Sequence, residues 1–225
     1  MDSVVHAEDS SSASVNFSVT IQKTKRASSG IYTIWPVEGP SFLVRMEYMR
    51  DLSEDLLVPG SILSPDESSS LLDAARLFLV ERTAVGYLSR AEHSRFLLDV
   101  KLQKKGWVSS DTTVVLDYLE SRSWLSDTRY ADAWLRNRQI HKNEGRLKLI
   151  AGLRSRGISA EIAEKALKLH FSPDDEEITC KKAISKFQRQ GREGKKLLSS
   201  LVRSGFSLKL ISYCLRNYPN DEFKA

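Results

Sequence analysis

Three short stretches near the start of the chain alternate apolar and polar residues, a spacing that turns one face of a strand inward. They are FSVTIQKT, GIYTIWPVEG and SFLVRMEYM. The turn-forming stretches KRASSG and EGPS separate them, so Phe17 to Met49 is predicted to hold three antiparallel strands. Pro36 has no N–H to donate, which makes its run an edge strand or one broken at that residue. Three strands need a packed face, so the sheet is expected to lean on the first helices.

From Ser64-Pro65-Asp66-Glu67 the period lengthens to that of a helix, with a cap, a proline and acidic residues in starting positions. Leu71, Leu72, Ala75, Phe78, Leu79 and Val85 fall mainly on one face of this first helix. A second helix should carry Phe96, Leu97 and Val100, and a third, capped by Ser109 or Ser110, should carry Val114, Val115, Tyr118 and Leu119. Six further helices are predicted over 127–140, 144–156, 160–170, 174–189, 192–203 and 208–217.

This pattern repeats. Leucines stand four and eight residues before each of Gly106, Gly157 and Gly205: Leu102 and Leu98, Leu153 and Leu149, Leu201 and Leu197. An apolar residue (Trp107, Ile158, Phe206) follows each glycine, and the glycines are 51 and 48 residues apart. Gly157 and Gly205 suit a helix ending in a residue of positive φ, and Ser159 and Ser207 suit caps of the next helix. Units of this size cannot bury their apolar helices alone, so neighbours must stack. The expected fold is mainly α, an elongated curved array of three tandem three-helix units with a small N-terminal β-rich extension. The boundaries are a mobile polar tail over 1–16, the β-rich extension over 17–62, units over 63–121, 122–171 and 172–219, and a C-terminal tail over 220–225.

Composition narrows the setting. With 41% hydrophobic and 28% charged residues the 225-residue chain suits a soluble protein, and no apolar run approaches the roughly 20 residues of a membrane span. The first thirty residues lack the continuous apolar segment of a signal peptide, and two cysteines are too few for a disulfide scaffold, which points to a reducing cytoplasm. The net charge of +5 is unevenly spread: Arg122 to Arg216 carries 21 Lys or Arg against 10 Asp or Glu, +11, and the rest carries −6. A positive half of this kind favours a polyanion or an acidic protein as partner.

Enzyme chemistry has little support. His6, His93, His141 and His170 form no metal-binding pair, and Cys180 and Cys214 form no CxxC, so neither a metal nor a cofactor is expected and no catalytic residue is nominated. Asp174-Asp175-Glu176-Glu177 reads as favourable charge on a first helical turn, and GREGKK as an interhelical turn. The candidate contact residues are basic: Arg136, Arg138, Lys142, Arg146 and Lys148 around one helix junction, Arg154 and Arg156 at the far end of the same helix, and Lys195, Lys196 and Arg203 in the next unit. Guanidinium groups grip phosphate or carboxylate bidentately, so these residues suit a nucleic-acid backbone or an acidic groove. Reversing Arg136, Arg138, Arg146 and Lys148 together is expected to weaken that contact and leave the helices intact. Trp124 and Trp134 stand beside leucines at helical spacing and are read as core, with Trp35 and Trp107 also as packing residues.

The stretch LSDTRYADAWLRNR followed by EGRLKLIAGLRSRGI resembles the RecX family of bacterial recombinase regulators through Leu125, Asp127, Arg129, Tyr130, Ala131, Arg136, Arg138, Gly145, Arg146, Gly157 and Ile158. Leu88, Arg90, Ser94, Leu98, Leu102 and Gly106 fit the family's opening repeat, and the likeness spans about Leu71 to Asn217. The opening repeat departs from the family's usual Arg-x-Arg-Ser, and the strand-like extension is unusual. The resemblance implies a non-enzymatic modulator of RecA, mainly inhibitory, that lies in the groove of the RecA–DNA filament and restrains its growth, ATP hydrolysis, strand exchange and RecA-assisted repressor cleavage. Its setting would be recombination, DNA repair and the SOS response. The partner is the RecA nucleoprotein filament, with single- or double-stranded DNA as a further candidate, no membrane, and the chain acting as a monomer. A general DNA-binding helical module is the alternative, and an RNA-associated helical adaptor a third reading.

Overall fold

The structure is a computed structural model that describes residues 17–28, 30–49 and 52–217; both predicted tails lie outside these bounds. Its elements run β1 (Ile21–Ser28), β2 (Ile31–Pro36), β3 (Phe42–Arg45), α1 (Pro65–Leu88), α2 (Arg95–Lys104), α3 (Ser109–Ser121), α4 (Asp127–His141), α5 (Arg146–Arg154), α6 (Ala160–His170), α7 (Pro173–Arg189), α8 (Gly194–Arg203) and α9 (Leu208–Asn217). The chain divides into two compact units, with the boundary in the sequence falling inside α1, between Val80 and Glu81.

In the first unit the strands form one antiparallel sheet in the order β1-β2-β3. The run holding Pro36 is therefore central, not an edge; its pairing stops at the proline, opposite Ile21, where a missing N–H costs the ladder least. Alternation sets the buried face here. Ile21, Tyr32, Ile34 and Val44 are buried, as are Leu71, Ala74, Ala75 and Phe78 of α1. Ser68 of α1 accepts a hydrogen bond from the Val19 backbone N–H at 2.8 Å, and the Arg45 guanidinium lies 5.6 Å from the Phe78 ring centre. Leu72 and Leu79, expected on the apolar face of α1, instead lie on its exposed side. The start of α1 is a capping box: Ser64 Oγ accepts from Glu67 N–H at 3.3 Å, and the Glu67 carboxylate accepts from Ser64 N–H at 2.7 Å.

The second unit contains the repeat. Leu98 and Leu102, Leu149 and Leu153, Leu197 and Leu201 are all buried, as the spacing from each glycine predicts. Gly106, Gly157 and Gly205 have φ of +92°, +81° and +89°, and in each case the following residue's N–H returns to the carbonyl of Leu102, Leu153 or Leu201. These are the closing bonds of a left-handed helix end, which a side chain would strain. Ser159 and Ser207 cap the helices that follow, accepting from Ile162 and Leu210 N–H at 3.2 Å. The cap of α3 is Val108, without a side-chain bond, rather than Ser109 or Ser110. In the second three-helix group α4 and α5 pack on α6; in the third, α7 packs on α8 and α9 around Cys180, Leu197, Leu201, Phe206 and Cys214.

Successive groups lock through one recurring joint. The turn after each second helix docks on the first residues of the preceding second helix. Ser94 Oγ donates to the Arg156 carbonyl at 2.7 Å, and the Gly145 N–H donates to the Ser204 carbonyl at 2.8 Å. A carboxylate from the next group's first helix then takes the leading amide: Asp127 accepts from Arg95 N–H at 2.8 Å and Glu176 from Arg146 N–H at 2.9 Å. Such amides have no partner inside their own helix, so a carboxylate there satisfies a donor and meets the positive helix end. The glycines let backbones meet: a β-carbon on Gly145 would lie 2.5 Å from the Gly205 carbonyl oxygen.

Candidate functional site

The ten nominated basic residues fall into two groups. Four are engaged within the protein. Arg138 Nε and Nη2 donate to Glu144 at 2.5 and 2.9 Å, Lys148 Nζ lies 3.0 Å from the same carboxylate, and Glu144 is only 7% exposed. Arg146 pairs with Glu164 at 2.9 Å. Arg156 lies 5.0 Å from the centre of the Trp134 ring and donates to the Gly152 carbonyl at 2.7 Å, while Arg138 sits 5.4 Å from the same ring. Gly152 is what admits the indole, since a β-carbon there would approach Trp134 Cη2 to 2.6 Å. Trp134 is thus a half-buried platform for two guanidinium groups. Trp124 departs from the expected core position: it is 47% exposed, edge-on to Tyr118, because the chain turns at Ser123 (φ +57°) and carries the ring off the helix face.

The other six, Arg136, Lys142, Arg154, Lys195, Lys196 and Arg203, are exposed. His141 ends α4, and its side chain lies outside the described residues. Burial would raise the Glu144 carboxyl, but hydrogen bonds from Arg138 and Lys148, with their charges, outweigh it and hold Glu144 below the usual glutamate range. A depressed carboxyl stabilises the fold above the unfolded value, about pH 4.3, and loses that contribution as pH falls through the folded value. Glu144→Gln should therefore cost about 1–2 kcal/mol at pH 7, the range for a hydrogen bond to charge eased by solvent around both cations. Its stability should also fall less on acidification. Thermal melts from pH 7 to pH 3 check both, and parallel pH profiles for the two proteins would refute the shared-carboxylate role.

The motif residues outside the ten nominated cations are also structural. Leu125 and Ala131 are buried, Asp127 supplies the joint to Arg95, and Arg129 bonds Glu92 at 2.8 Å and the carbonyls of Ser123 and Trp124 at 2.8 and 3.0 Å. Among the described residues there is no group of three or more His, Cys, Asp or Glu that could hold a metal. Burial, then the neighbouring Cys214, pushes the Cys180 thiol far above its usual range, so it stays protonated and is a packing group rather than a nucleophile.

One basic feature lies outside the nominated set. Lys182, Lys186 and Arg189 of α7 line an open cleft of about 490 Å³ with Asn143, Ser185 and Gln190. Their i, i+4, i+7 spacing places them on one helix face, a signal the sequence does carry. The four acidic residues at the start of the same helix mask it by balancing the local charge.

Comparison with known proteins agrees with this architecture. Residues 126–167, from the cap of α4 into α6, match the family model described as RecX, second three-helix domain. The regulatory protein RecX of Treponema pallidum (strain Nichols) is 36% identical over 156 residues, covering 69% of this chain and 95% of that protein. The RecX of Prosthecochloris aestuarii is 34% identical over 137 residues, 59% of this chain and 88% of that protein. A crystal structure of regulatory protein RecX shares the fold with a TM-score of 0.72 at 18% identity, covering 88% of this chain and 99% of its own. That coverage takes in part of the region before Leu71, so the extension is not peculiar to this chain. The RecX of Lactobacillus salivarius matches with a TM-score of 0.55 at 21% identity over 62% of this chain and 94% of that one. On the Treponema relative's identity and near-complete coverage, the chain belongs to the RecX family of regulatory proteins.

Proposed function

We propose that the protein is a non-enzymatic modulator, mainly an inhibitor, of RecA. It binds in the groove of the RecA–DNA filament and restrains filament growth, ATP hydrolysis and strand exchange, acting as a monomer in the cytoplasm during DNA repair and the SOS response. The observation that carries this reading is the interlocked repeat of the family, which bears exposed Arg136, Arg154, Lys195, Lys196 and Arg203 on mutually braced helices and Lys142 at the end of α4. Bracing matters because cations held on fixed helices lose little freedom on meeting an acidic groove. A general DNA-binding module is the second reading, favoured by the basic cleft of α7.

The test compares RecA coated on single-stranded DNA with naked DNA. Added protein should lower RecA ATP hydrolysis, and binding to the coated filament should exceed binding to naked DNA across a salt series. A pure phosphate binder weakens steeply with salt and gains nothing from the protein coat. That second pattern, with ATP hydrolysis unchanged, would overturn the reading.

A further inference from the structure

The geometry points to a direct nucleic-acid contact: the cleft between α7 and the α4–α5 linker holds the sugar–phosphate backbone of one single strand. Lys182, Lys186 and Arg189 stand about 6 and 4.5 Å apart along the helix axis at 1.5 Å per residue. A cleft of about 490 Å³ opens onto these three cations and the uncharged Asn143, Ser185 and Gln190, with no carboxylate among the described lining residues. The contrast with neighbouring cations is direct. Lys181, one residue away, is paired with Glu177 at 2.6 Å, and Arg138 and Lys148 share Glu144. The dipole of α7 favours positive charge in its last turn, which accounts for Arg189 and in part for Lys186, but not for Lys182 in the middle of the helix. Three like charges on one concave wall repel one another and concentrate anions in front of it.

The lining also selects among anions. Among the described residues it has no aromatic ring on which a base or a nucleotide could stack, so recognition through these residues goes through phosphates and is indifferent to sequence. Three cations in a row along the helix suit a chain of successive charges better than a compact anion. This assignment stands on the cleft alone and does not depend on the recombinase reading.

The experiment measures anisotropy of a labelled oligothymidylate with the full chain. Lys182→Glu, Lys186→Glu and Arg189→Glu are combined in one variant. A control combines Lys165→Glu, Lys168→Glu and Lys209→Glu, three exposed lysines outside the cleft, with the same change in net charge. Affinity should fall at least about tenfold in the cleft variant and less than about twofold in the control. The slope of log K against log salt should become shallower by about 2, three phosphate contacts at about 0.7 each for a single strand. The neutral triple Lys182→Gln, Lys186→Gln, Arg189→Gln should give an intermediate loss, and circular dichroism reports that each variant is folded. Equal loss in cleft and control variants, unchanged binding in the cleft variants, or polyglutamate or a hairpin duplex competing as well as oligothymidylate would each overturn the assignment.

Discussion

Gly157→Val is expected to lower the melting temperature by about 6–12 °C. That follows from about 3 kcal/mol, at 2–4 °C per kcal/mol for a chain of this size. Two costs combine. Valine at a φ of +81° enters a region that β-branched residues avoid, worth about 1–3 kcal/mol. Its β-carbon would also collide with the Phe96 β-carbon across the joint, and overpacking of this kind costs about 1–3 kcal/mol more. Relief requires the turn to retreat from α2, which breaks the bond from Ser94 Oγ to the Arg156 carbonyl. Lys168→Ala, on the exposed face of α6, should leave the melting curve within about 2 °C, since surface changes are within about 0.5 kcal/mol. Melting followed by circular dichroism separates the two, and an unchanged curve for Gly157→Val would reject the joint as drawn.

That joint also marks how far the sequence can be read. The leucine spacing, the three glycines and the serine caps are legible because each depends on contacts within one turn of its own helix. The helix bounds 160–170 and 208–217 match the structure for the same reason. What the sequence hides is non-local. Glu144 takes Arg138 from across the α4–α5 linker, and Trp134 takes Arg156 from the turn after α5, through approaches that depend on how the chain packs beyond each helix. Trp124 leaves the core because Ser123 adopts positive φ, which helical spacing does not foresee. Leu72 and Leu79 face outward because apolar character alone does not fix which side of α1 meets the core. Of the two readings open for Pro36, an edge strand or a strand broken there, the structure takes the second: the central strand ends at the proline.

The largest functional effect is expected from combining Arg136→Glu, Lys142→Glu and Arg154→Glu. These three are exposed and make no ion pair recorded among the described residues, so reversing them removes attraction toward an acidic groove without stranding a buried partner. The set suggested by spacing alone, Arg136, Arg138, Arg146 and Lys148, is a poorer probe. Glutamates at 138 and 148 would face Glu144, and one at 146 would face Glu164, so lost activity would reflect repulsion inside the repeat. For the exposed triple, each site loses one favourable contact of about 0.2–1 kcal/mol and gains a repulsive one, which together predict at least about a tenfold weaker inhibition of RecA ATP hydrolysis. The melting temperature should be unchanged. Reversing Lys23, Lys25 and Arg26 on β1 should have a smaller effect, since they lie outside the helical repeat and two of them already rest on Trp35 and Tyr32. The α7 cleft variant provides the internal comparison: it should lose affinity for oligothymidylate, whereas the exposed triple should lose affinity for the protein-coated filament. Full inhibition by the exposed triple would remove these residues from the contact surface, and loss confined to naked DNA would leave the general DNA-binding reading in place.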